Sequence, residues 1–95
     1  MTRADVLAWL DARRPSPPET LRRRIDRAID ERLPAPGSPL PVYLAQVGQT
    51  LLDGVVGKPQ GGRELALDLL AADAFATYAF EAQAEAGGGE EAHAT

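Results

Sequence analysis

Apolar residues recur along this chain at intervals of three and four, and prolines and glycines cut the pattern into four stretches. That interval is the period of a helix turning one side toward a core. The first stretch, Arg3 to Arg14, carries Val6, Leu7 and Leu10 on one side, together with Trp9, the sole tryptophan. Thr2 stands where a cap accepts a backbone N–H, and Asp5, three residues on, is an acidic return half for a capping box. Pro15 ends the stretch. The second opens with Ser16-Pro17-Pro18-Glu19, which reads as a capping serine, proline at the first helical position and glutamate at the third. Leu21, Ile25, Ala28, Ile29 and Leu33 follow at offsets of four, seven, eight and twelve, a single narrow stripe. Arginines and acids fill the opposite side, and Glu19–Arg23 is a favourable four-residue pair. Pro34 stops this helix.

"PAPGSPLP" is a stiff linker, since proline fixes the backbone and cannot sustain a helix. A third helix is predicted from Pro41 to Val56, with Leu40, Tyr43, Leu44, Val47, Leu51 and Val55 sharing a side. Gly48 sits beside that stripe, where a missing side chain lets another backbone approach. Gly57 followed by Lys58-Pro59 is a stop signal, and "GKPQGG" makes the turn.

The fourth stretch, "RELALDLLAADAFATYAFEAQAEA", is the most apolar. At about 100° per residue, Leu65, Leu69, Ala72, Ala76 and Phe80 form one side. Leu67, Leu70, Ala74 and Tyr78 form a second, and Phe75 with Ala71, Ala79 and Ala82 a third. A helix that is apolar all round needs cover all round. The predicted fold is therefore all-α: a small four-segment helical bundle, residues 1–86, with the C-terminal helix central. The ending GGGEEAHAT, 87–95, is expected to be a disordered tail. The first two helices offer narrow stripes, so part of the fourth is expected to meet a second subunit or another protein through Leu67, Leu70, Ala74, Phe75 and Tyr78.

Composition narrows the chemistry. Ninety-five residues are near the lower limit for a self-sufficient core, and with no cysteine there is neither a disulfide nor a thiolate metal site. Lack of cysteine fits a reducing cytoplasm, the expected location. Charges interrupt the opening residues, so no secretory signal is expected there. Four prolines break the uncharged run from Leu33 to Leu52, and no membrane association is expected. The two serines sit at a helix start and in the linker, while His93 lies in the expected tail; no catalytic residue, metal or cofactor is expected. Asp68 and Asp73 interrupt the apolar helix about 140° apart, too divergent to share a ligand, and each is expected to pair with an arginine of the second helix or reach the surface.

Net charge is −4, but unevenly placed: residues 1–33 hold eight arginines against six acids (+2), and 34–95 two basic residues against eight acids (−6). The halves can attract each other, within a chain or between chains. Arg22, Arg23, Arg24 and Arg27 make nucleic-acid binding the first alternative, through phosphate pairing. Interleaved acids and the lack of stacking aromatics on that face weigh against it. A pocket for a small apolar ligand lined by Trp9, Tyr43, Phe75 and Tyr78 is the second alternative. "GGRELALDLLAADA" resembles a stretch near the start of polyprenyl synthases, where a glycine pair and basic residues precede an apolar helix. This chain has glutamate and alanine at the positions of further diphosphate-binding cations, lacks an aspartate-rich motif and is too short for that fold, so no activity is carried over. The main expectation is a non-enzymatic interaction module, a homo-oligomer or the small subunit of a larger assembly.

Overall fold

The computed structural model describes residues 1–57 and 61–94, with side chains through Gly87. The expected stop at Lys58-Pro59 lies outside them, as do the side chains of the expected tail beyond Gly87. Four helices follow one another: α1 (Arg3–Asp11), α2 (Glu19–Glu31), α3 (Leu40–Val56) and α4 (Arg63–Ala94). They form a small bundle in which α4 packs against α3 and α2, and the side chains of Trp9 in α1 and of Arg13 just after it reach α4 as well.

Local chemistry sets the ends. The capping box of α1 is complete: the Asp5 amide donates to Thr2 Oγ1 at 3.2 Å, and the Thr2 amide donates to Asp5 Oδ2 at 2.9 Å. Hydrogen bonding from the Thr2 backbone N–H, and next from the Thr2 side chain, holds the Asp5 carboxyl below its usual range. The start of α2 departs from expectation. Pro18, not Ser16, is the N-cap, and no side chain caps this helix. A residue that precedes proline is pushed out of the helical region, so neither Ser16 nor Pro17 can enter a helical turn. Ser16 instead accepts a long contact from the Arg14 guanidinium at 3.4 Å. The end of α2 also comes early, with Arg32 in a non-helical conformation, and this leaves Leu33, expected in the stripe, exposed. The Tyr43 hydroxyl donates to the Arg32 carbonyl at 2.6 Å and so satisfies part of that end. In α3, Pro41 lies in the first turn and Gly57 caps the far end, as expected.

The core joins all four helices. Val6 and Leu10 come from α1, Ile25, Ala28 and Ile29 from α2, and Tyr43, Leu44, Val47 and Leu51 from α3. From α4 the buried residues are Ala71, Ala72, Phe75, Tyr78 and Ala82, mostly small side chains around one fully buried phenyl ring. Burying that ring contributes roughly 2–3 kcal/mol.

The tightest contact is at Gly48. A Cβ there would lie 3.0 Å from Phe75 Cβ and 3.4 Å from the Ala72 carbonyl oxygen. Both atoms belong to or adjoin the α4 backbone, so neither can swing away. The close approach expected of Gly48 is therefore that of α3 to α4. Gly54, also within α3, has open space around the same position. The two glycines should respond oppositely to alanine. Gly54→Ala is expected to raise stability by roughly 0.5–1 kcal/mol through helix propensity. Gly48→Ala is expected to lower it by about 1–2 kcal/mol, because overpacking outweighs that gain. Chemical denaturation of both variants checks this; a Gly48→Ala protein as stable as Gly54→Ala would contradict the packing described.

Candidate interaction groove

Charge is arranged first against the interior and then along the rim. Arg24 and Asp68 are both buried, 8% and 6% exposed, and Arg24 Nε donates to Asp68 Oδ1 at 2.6 Å. The other Arg24 arm, Nη1, has no hydrogen-bond partner among the described residues, and Glu31 forms a looser ion pair with it at 3.6 Å. This pair is what lets an acid sit inside the apolar helix α4. Asp73 is exposed, so of the two aspartates one meets an α2 arginine and the other reaches the surface. Arg22 bridges Asp11 and Asp26, each at 2.8 Å; burial opposes its charge, and the two acids outweigh that, raising its pKa. Arg23 pairs with Glu19 at 3.0 Å on the open surface, and Arg3 pairs with Asp30.

At the other end, Trp9, Arg13, Tyr78 and Glu85 form a cluster between α1 and α4. The Trp9 indole N–H donates to Glu85 Oε1 at 2.9 Å, and Arg13 donates to Oε2 at 2.7 Å. The Arg13 guanidinium lies 4.1 Å above the Trp9 ring, which in turn meets Tyr78 edge-on at 5.9 Å. The Trp9 and Arg13 bonds keep the Glu85 carboxyl below the usual range, and burial pushes the Tyr78 hydroxyl up.

Of seven exposed large apolar side chains among the described residues, Val42, Leu52, Leu69 and Phe80 line an open groove of about 810 Å³ between α3 and α4. Its floor is Gly48 and Ala72, where the helices touch. Val42, Ala45 and Leu52 rise on the α3 side, Leu69, Ala76 and Phe80 on the α4 side. With the floor residues included, Val42, Ala45, Gly48 and Leu52 on α3 and Leu69, Ala72, Ala76 and Phe80 on α4 are spaced by three and four residues, so each row is a continuous strip along its helix. Phe80 is 81% exposed and Leu69 44%. Among the described residues Asp73 is the only charged one lining the groove.

The structure divides the residues expected at an interface. Phe75 and Tyr78 point into the protomer's own core, Leu67 and Ala74 are half-buried, and Leu70 is 56% exposed. The open strip uses the side of α4 that carries Leu69, Ala76 and Phe80, which was not singled out. Among the arginines of the nucleic-acid alternative, Arg24 is buried, Arg22 and Arg23 hold carboxylates, and Arg27 is exposed. For the ligand-pocket alternative, Tyr43 and Phe75 are among the largest fully buried side chains and fill the core, while Trp9 packs on Tyr78. No described helix is long and apolar enough to cross a membrane. The chain matches no known family model, no curated protein and no solved structure.

Two measurements follow from the charged clusters. Arg24→Met removes the guanidinium that donates to the buried Asp68 carboxylate and is expected to cost about 3 kcal/mol. Arg23→Met breaks an exposed pair and is expected to change stability by less than about 0.5 kcal/mol. Equal effects in thermal melts would contradict the burial assigned to Arg24. The Glu85 carboxyl titrates lower in the folded chain than in the unfolded one. Its stabilising contribution is therefore present above the ordinary glutamate value and is lost as pH falls through the lower, folded value. Trp9 fluorescence should accordingly change in a step below the usual glutamate range, and Glu85→Gln should remove that step. A step at or above that range, or one that survives Glu85→Gln, would contradict the cluster.

Proposed function

We propose that this chain is a non-enzymatic protein–protein interaction module whose contact surface is the α3/α4 groove. The observation that carries this reading is the continuous apolar strip on the outer side of two packed helices, where Val42, Leu52, Leu69 and Phe80 all face water. Large apolar side chains left in contact with solvent carry a driving force of about 25 cal/mol per Å² once covered. Contiguous patches of this sort mark interaction sites, whereas scattered exposed leucines do not. The groove has the form that accepts an amphipathic helix, with strips at helical spacing on both walls. Absence of cysteine fits work in a reducing compartment such as the cytoplasm.

The arginine surface supports the nucleic-acid alternative less well. Arg22, Arg23 and Arg24 already hold acids, so binding phosphate would first break those pairs.

The test uses an uncharged synthetic helix with leucine at heptad a and d positions, alongside sedimentation of the protein alone. Binding of the peptide or self-association is expected, with resonance changes at Val42, Leu52, Leu69 and Phe80. The Leu69→Ser/Phe80→Ser variant should keep its fold, since neither side chain belongs to the buried core, and should lose the association. A protein that neither binds the peptide nor self-associates, or one whose association survives both substitutions, would overturn this assignment.

A further inference from the structure

The walls of the groove are apolar, but its rim is not neutral. Asp73 lines it midway along α4. Asp53 follows Leu52 at one end, and Glu81 stands beside Phe80 at the other, lining the shallow extension formed with Ala76, Thr77 and Ala84. Among the described residues none of these three acids forms an ion pair; Asp53 accepts a hydrogen bond from Gln49 at 2.8 Å. Among the described residues no lysine or arginine lines the groove or its extension. The sequence explains why: from residue 34 to the end the only cations are Lys58 and Arg63. Among the other described acids, six are met closely by arginine. Asp11, Glu19, Asp26, Asp30, Asp68 and Glu85 each have an arginine partner.

We infer that the occupant of the groove is an amphipathic helix of a partner protein bearing lysine or arginine beside its apolar stripe. This rests on the reading of the groove as a contact surface and specifies what fills it. The span from Val42 to Leu52 is roughly 15 Å, about three helical turns, so the strip seats leucine-type side chains from successive turns. Cations flanking those anchors fall opposite Asp53, Asp73 and Glu81, and such complementarity selects among helices of equal apolar content. A second copy of this chain fits less well. Pairing groove to groove brings the same three acids from each copy together with no cation among the described lining residues. The arginine-rich helix α2 is no substitute donor, because Ile25, Ala28 and Ile29, its apolar stripe, are already buried in its own bundle.

The experiment uses three synthetic helices with identical leucine a and d positions and flanks of lysine, glutamine or glutamate, titrated against the full chain. The lysine peptide is expected to bind about tenfold tighter than the glutamate peptide, with glutamine between them. The difference should shrink as salt rises, because exposed charges are screened. Asp53→Asn/Asp73→Asn/Glu81→Gln should also close the gap between peptides while leaving glutamine-peptide binding in place. Equal binding of all three peptides would overturn the charge preference and leave the contact-surface reading standing. Self-association through Leu69 and Phe80 with no peptide bound would make a second copy the occupant, again overturning this inference alone. Loss of both binding and self-association would remove the contact-surface reading with it.

Discussion

The contact between α3 and α4 at Gly48 governs much of what surrounds it. With no side chain at that position, the backbone of α3 lies against Phe75 and Ala72, and Phe75 can turn fully inward. Small residues on α4, Ala71, Ala72 and Ala82, then form the inner surface that α3 and α2 cover. The same close approach makes the outer seam shallow, with a floor of glycine and alanine between walls of larger side chains. Core and groove are two sides of one packing arrangement. Filling the glycine position would push the helices apart and disturb both.

That arrangement settles how a helix apolar around its whole circumference is accommodated. The side bearing Phe75, Ala71 and Ala82 is buried, and the Arg24–Asp68 pair is drawn into the same interior. The Trp9 cluster covers Tyr78 from α1. The side with Leu69, Ala76 and Phe80 has no such cover. Three short helices, each with a narrow stripe, do not reach it. A bundle this small has little surplus core from which to offset a misplaced charge or cavity. The exposed apolar strip is the basis of the proposed contact surface.

Much of the fold was legible in the pattern of residues. The four helices, the Thr2–Asp5 capping box, the α3 stripe and the special place of Gly48 all follow from period and end chemistry. The start of α2 was misread because Ser16 resembles a cap, whereas the steric demand of consecutive prolines decides the matter two residues later. Period alone also could not orient α4. When every side is apolar, period distinguishes the sides but not which one faces inward. Residue size held that information: alanines lie where backbones come close, and Leu69 and Phe80 lie where they do not. The outward positions of Val42 and Leu52, off the α3 stripe, were the remaining signal for the groove. Asp68 was assigned an α2 arginine as an option, and three-dimensional packing selected Arg24.

The account as a whole stands on the water exposure of one strip of α4 in the isolated protomer. Solvent paramagnetic relaxation, measured on dilute protein with an inert gadolinium chelate, reads that exposure residue by residue. Strong relaxation at Phe80, Leu69 and Val42 alongside protection at Phe75, Ala71 and Leu44 is the predicted outcome. Protection of Phe80 and Leu69 comparable to Phe75 in a single unbound chain would mean that the protein already covers this strip itself, and the case for a contact surface there would be lost.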